Sequence, residues 1–129
     1  MDLKRWKTKR WELQDEDGGD PAVIRHRPMT QAWKLRLMEQ TRAMMARRES
    51  EPKDADRVPG WKADLKERNE TWRDLMLDLV VSIDGLTMGG EPLSLEQAID
   101  ALIELEAPAD AFVSYLFGMS EVTPEQGKS

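Results

Sequence analysis

Catalysis needs groups that can carry a proton, a nucleophile or a metal, and this chain offers few: among 129 residues it has one histidine, His26, and no cysteine. His26 lies between Arg25 and Arg27, where two neighbouring positive charges lower its pKa and discourage a metal cation. Without cysteine or a second histidine, zinc would need a carboxylate-rich site that no spacing here suggests. A Ser-His-Asp triad would have to use the same histidine, and Ser82, Ser94, Ser114 and Ser120 lack a Gly-x-Ser-x-Gly context. Gly18-Gly19 and Gly89-Gly90 have neither a following Gly-Lys-Ser nor a Gly-x-Gly-x-x-Gly arrangement, so both read as turns and not as phosphate cradles. Asp74 with Asp78 and Glu96 with Asp100 are acidic pairs one helical turn apart, which could hold a divalent cation or act as general acid and base. With no histidine beside them they read as a solvated face opposite an apolar stripe. No catalytic residue, cofactor or metal site is expected.

What remains is the chemistry of contact. The start, Lys4-Arg5-Trp6-Lys7-Thr8-Lys9-Arg10-Trp11, interleaves cations with aromatic rings. It could stack on bases, form an edge strand whose lysines discourage unwanted pairing, or serve as a contact strand for another protein subunit. A second concentration of apolar side chains lies around Trp33, Leu37, Met38, Met44, Met45, Trp61 and Leu65. Methionine's flexible, polarisable side chain suits adaptable hydrophobic surfaces, although each of these residues can also fill a core.

Charge narrows the choice of partner. The net charge is -6, but the chain is asymmetric: up to Gly60 it carries 14 basic and 11 acidic residues, and beyond it 5 and 14. An acidic second half disfavours nucleic acid, which needs clustered lysine and arginine, and favours a basic partner surface. No apolar run approaches the roughly 20 residues of a membrane-spanning helix, and the charged start lacks a signal peptide's apolar segment. The expectation is a cytoplasmic protein without membrane contact.

The elements that must position these residues follow from punctuation and period. Asp15-Glu16-Asp17-Gly18-Gly19-Asp20-Pro21 is a turn signal between two short stretches, predicting a β-hairpin over residues 4–29. Thr30 can cap a helix over 30–48, in which Trp33, Leu37 and Met44 share a face, Met38 and Met45 widen it, and Lys34, Glu39, Arg42 and Arg47 point to water. A connector over 49–60 carries Pro52 and Pro59. From Trp61 to Asp84 apolar residues recur three or four apart, and Leu75 to Val81 is apolar nearly all round, so this helix supplies the centre of the core, with Gly85 as its cap. Ser94 with Gln97 makes a capping box for a helix over 94–105, and Pro108 opens a last helix over 108–117 that stops at Gly118. Residues 120–129 lack core material and read as a tail. The predicted fold is a single α+β domain over 1–119, mainly α: an N-terminal hairpin followed by a small bundle of about four helices.

The hairpin, Val23-Ile24-Arg25-His26-Arg27-Pro28-Met29-Thr30 leading into a charged amphipathic helix, and Trp72-Arg73-Asp74-Leu75 leading into Leu79-Val80-Val81-Ser82-Ile83-Asp84-Gly85-Leu86 form an order of features. That order resembles small tail assembly chaperones of long-tailed bacteriophages. A Gly90-Glu91-Pro92-Leu93 loop, a short helix and the polar ending Gln126-Gly127-Lys128-Ser129 extend it over most of the chain. The 49–60 connector is longer than the family pattern. The resemblance implies a protein that coats the tape measure protein during tail assembly, recruits tail tube subunits and is absent from the mature particle. Two other classes remain open: a structural head-tail or baseplate adaptor, and a small phage-encoded inhibitor of a host protein complex. In each case the surplus apolar surface of Trp33, Leu37, Met38, Met45, Trp61 and Leu65 is the expected partner-binding site. It would receive a helical or extended apolar segment, with Arg36, Arg42, Arg47 and Arg48 at its rim. Self-association through the same surface would give a homo-oligomer.

Overall fold

A computed structural model describes residues 8–15, 17–50 and 58–126. Two strands, β1 (Lys9–Leu13) and β2 (Ala22–His26), precede two long helices, α1 (Gln31–Ser50) and α2 (Val58–Leu79). A third strand, β3 (Val80–Asp84), follows α2 directly. The two-residue strands β4 (Thr87–Met88) and β5 (Glu91–Pro92) then lead to α3 (Leu95–Leu105) and α4 (Ala107–Gln126). The class is α+β and mainly α, as the sequence predicts.

The hairpin forms as expected, with Trp11 opposite Ile24 and Leu13 opposite Ala22. Its turn is organised by Asp15, whose carboxylate accepts from the Asp17 amide at 2.8 Å and whose carbonyl accepts from Gly18, itself at φ +82°. Short polar side chains of this type hold turns by such local bonds. Trp6, the other aromatic of the basic start, lies outside the described residues, as does most of the 49–60 connector.

The predicted helix over 61–84 is corrected at its end. Backbone helix stops at Leu79, and Val80–Asp84 becomes the third strand, antiparallel to β2, with Ile24 opposite Ile83. A run that is apolar all round does not reveal its own period, and the β-branched Val80, Val81 and Ile83 favour the pleated conformation. The register slips between Arg25 and His26, so that Val81 bulges out. Gly85 consequently caps no helix. At φ +87° it closes β3, where a Cβ would stand 3.3 Å from the Pro21 carbonyl oxygen.

The capping box is present in full: Ser94 Oγ accepts from the Gln97 amide and Gln97 Oε1 from the Ser94 amide. Gly89 and Gly90, at φ +58° and +84°, make the tight turn of the β4–β5 hairpin. The last helix runs on to Gln126 and does not stop at Gly118, so residues 120–126 of the predicted tail are helical. Gly118 is exposed with open space around it and takes no left-handed angle; a lone glycine weakens such a helix by about 1 kcal/mol without ending it.

The core is built where the sequence puts it. Leu75, Met76 and Leu79 of α2 are at most 1% exposed and pack with Ile24 of the sheet, Ile99 and Leu102 of α3, and Phe112 and Leu116 of α4. Helix α1 contributes one buried residue, Leu37. It is therefore the outermost layer, packed on α2 along one side. No helix among the described residues is long and apolar enough to cross a membrane.

Candidate partner-binding groove

Helix α1 presents more than one apolar stripe. Trp33 and Leu37 turn inward to the core, Met44 is half-buried, and Gln40 donates to Thr71 Oγ at 2.7 Å. One position further round the helix, Met38 and Met45 stand 40% and 59% exposed, and Leu35 extends their line at 50%. Two ion-paired ends hold α1 against α2. At its start, Trp33 Nε1 donates to Asp78 at 2.7 Å while Arg36 lies over the Trp33 ring, 4.6 Å away. At its end, Arg47 reaches Asp64 and Glu67, both at 2.9 Å, and Arg48 reaches Asp64 at 3.4 Å. Bonding to Glu67 and then Asp64 raises the Arg47 pKa, so this guanidinium stays charged.

Toward α4 the same helix is less closely covered. An open groove of about 880 Å³ runs between α1 and α4 over a floor formed by α2. Leu37, Met38, Met44 and Met45 form one wall, Val113 and Phe117 the other, and Trp72 and Arg68 the floor. Arg68 lies over the Trp72 ring at 4.2 Å and pairs with Glu106 at 3.3 Å. Cation-π stacking of this kind leaves an apolar surface that carries charge at its margin. Arg42 and Arg48 stand on the α1 side with Glu49, so the lining holds three guanidinium groups against one carboxylate.

Of the residues singled out in sequence, the groove gathers Leu37, Met38 and Met45. Leu37 belongs to its buried floor-side wall, whereas Met38 and Met45 are open to solvent. Trp33 is on the inward stripe and is occupied by Asp78 and Arg36. Leu65 faces a separate depression between α2 and α3, with Asn69, Arg73 and Ile103. Trp61 falls on α2, but its side chain lies outside what the structure describes. The expected basic rim is also redistributed. Arg42 and Arg48 line the groove, while Arg36 pairs with Asp74 at 3.5 Å and Arg47 turns to α2. Sequence reasoning missed Arg68, Trp72, Val113 and Phe117, which only the meeting of three helices brings together.

The chain matches no family model, no curated protein and no solved structure.

His26 and the acidic pairs lie away from this groove and have partners of their own. His26 is fully buried, between Phe112 and Tyr115 with ring centroids at 5.4 and 5.2 Å. Its Nδ1–H donates to the Arg27 carbonyl at 2.9 Å, which leaves Nε2 to accept from the Tyr115 hydroxyl at 3.1 Å. Its pKa is lowered, as expected, but by a different cause: desolvation comes first, and the opposing charge is that of Lys9 across the hairpin. The acidic pairs bind arginines. Asp78 takes Arg27 at 3.1 Å, and Arg73 bridges Asp100 at 2.7 Å and Glu96 at 3.7 Å, with the Asp100 bond raising its pKa most. Among the described residues no three acidic or histidine side chains converge on a point that could hold a metal ion.

Proposed function

We propose that this chain is a non-catalytic binding protein that holds an apolar helical segment of another protein in the α1–α2–α4 groove. The observation that carries this reading is the line of Met38 and Met45, exposed beside a groove to which Leu37, Met44, Trp72, Val113 and Phe117 add apolar lining and Arg42, Arg48 and Arg68 add charge. Methionines on an open face adapt to a partner's side chains at small cost, and helix-in-groove docking needs such a trough on a fixed scaffold. Here α1 is fixed at both ends by ion pairs to α2, so the trough exists before the partner arrives.

The resemblance to tail assembly chaperones gives the specific form of the proposal. The chain would act in the cytoplasm of an infected cell, coat a tape measure protein, recruit tail tube subunits and leave before the particle matures. Such work requires reversible contact and no catalytic residue, cofactor or metal. Co-expression tests it: the phage's long coiled-coil protein should become soluble with the wild-type chain, and less so with Met38→Glu or Met45→Glu. Finding the chain in purified particles would replace this role with that of a structural adaptor.

A further inference from the structure

Four positions of α1, Leu35, Met38, Arg42 and Met45, follow one another at spacings of three, four and three. All four are exposed, and Glu49 continues the line. This is the spacing of a coiled-coil seam, in which alternate steps of three and four keep one narrow stripe facing a partner along the axis. The inward residues Trp33 and Leu37 already serve the core. The outward seam is the more exposed of the two, with Leu35 at 50%, Met38 at 40% and Met45 at 59%. From Leu37 to Glu49 the groove beside it runs for about 18 Å, the length of roughly three helical turns.

The polar member of the seam specifies what can lie on it. Arg42 stands between Met38 and Met45 and makes no ion pair with any described residue, whereas Arg48 and Arg68 on the same groove are already matched by Asp64 and Glu106. A polar group at a seam position selects partners, because any occupant must either solvate it or pair with it. A second copy of α1 fits poorly. In an antiparallel pair that sets Met38 against Met45, the two Arg42 side chains meet near the centre, and like charges so placed repel and disfavour the pairing. A leucine in that place would bury the guanidinium unpaired. The opposite depression of α1, lined by Glu39, Glu67, Glu70 and Asp74 beside Arg36, is the more acidic side; on the groove side Glu49 stands one turn beyond Met45, so the charge between the two methionines is that of Arg42.

We infer that the occupant of the groove is an acidic amphipathic helix of another protein, about three turns long, with a carboxylate between two apolar anchors that meets Arg42. The inference rests on the proposed docking function and specifies the partner's chemistry. It reverses the basic partner surface suggested by the acidic second half of the sequence, since the charge that matters is that of the groove.

The test uses the full chain and three helix-stabilised peptides of about four turns, titrated by calorimetry at low and high salt. The first carries leucines at heptad spacing with glutamate between them, the second lysine for that glutamate, and the third glutamine for the leucines. The glutamate peptide is expected to bind the wild type about tenfold more tightly than the lysine peptide, the preference inverting with Arg42→Glu and weakening with salt. The glutamine peptide should not bind, and Met45→Glu should lose both leucine peptides. Equal binding of the glutamate and lysine peptides, unchanged by Arg42→Glu, would overturn the acidic partner while leaving the groove as a docking site. Failure of all three peptides would overturn both. A wild-type dimer that Met45→Glu converts to monomer would make a second copy the occupant and overturn the inference.

Discussion

The hydroxyl of Tyr115 and Nε2 of His26, 89 residues apart in sequence, stand 3.1 Å from one another in the core. The bond ties β2 to α4 across the aromatic packing of Trp11 on Phe112 and Tyr115. It also sets the tautomer, since the carbonyl of Arg27 can only accept and so takes the Nδ1 proton.

A pH dependence follows. Burial lowers the His26 pKa below its ordinary value of 6.5, with the ammonium of Lys9 adding to the effect and the Arg27 carbonyl opposing it. The unfolded chain then binds a proton at a higher pH than the folded one. Above about pH 6.5 both states are neutral at this site and stability does not vary through it. As pH falls from 6.5 toward the folded pKa, only the unfolded state takes up the proton, and stability declines until the folded form is protonated too. Urea melts of the wild type and His26→Gln across this window check the sign. The wild type should lose stability more steeply with acidification, whatever the offset between the two proteins at neutral pH.

Much of the frame is legible in the sequence because its causes are local. Asp15 with Gly18, Ser94 with Gln97, and Gly89-Gly90 each contain both the signal and its structural response within a few residues. The departures share the opposite property. Val80 to Ile83 became a strand because β2 lay open to pair with it, a fact held in residues 22–26 and not in the run itself. The candidate site is only partly legible for the same reason. Periodicity identifies Met38 and Met45 as apolar, but only α4 decides that their side of α1 stays uncovered while Trp33, a turn away, meets Asp78. Arg68 and Trp72 carry no signal of a groove floor until α1 and α4 flank them.

Leu79 is the last residue of α2 and 1% exposed, at the point where helix turns into sheet. Its carbonyl accepts from the Arg27 amide at 2.8 Å, so the position is held by backbone as well as packing and cannot collapse freely around a lost side chain. Leu79→Ala should destabilise the protein by about 2–5 kcal/mol in denaturant melts. A loss under about 0.5 kcal/mol, the range of exposed positions, would mean the residue is not core.

Asp64 sets up an asymmetry between partners. Its side chain is 9% exposed, while those of Arg47 and Arg48 are 49% and 50% exposed. Removing the carboxylate leaves Arg47 paired with Glu67 and lets Arg48 return to water, so Asp64→Ala should cost only about 1 kcal/mol. Removing both arginines strands the α2 carboxylate where α1 covers it, and Arg47→Ala with Arg48→Ala should cost about 3 kcal/mol. Equal losses in chemical denaturation would show that Asp64 reaches water without them.

The α1 stripes predict a separation of folding from binding that can be measured before any partner is known. Met38 and Met45 are exposed, so Met38→Glu and Met45→Glu place a carboxylate in water and should change stability by no more than about 0.5 kcal/mol. Leu37, one residue from Met38, is 7% exposed, and Leu37→Glu buries a charge among Trp72, Leu75 and their neighbours. An unpaired buried charge costs several kcal/mol, which for a domain of this size is a large share of its total stability. Leu37→Glu should therefore unfold or nearly unfold the chain, while the methionine variants melt with the wild type. A dye that fluoresces on apolar surfaces supplies the second readout. It should bind the folded wild type in the groove and bind Met45→Glu less, although the two proteins are equally stable. If dye binding were unchanged in both methionine variants, the open apolar surface would lie elsewhere than on this side of α1. If instead the methionine variants were destabilised as strongly as Leu37→Glu, the seam would be part of the core, and the groove would be closed in solution.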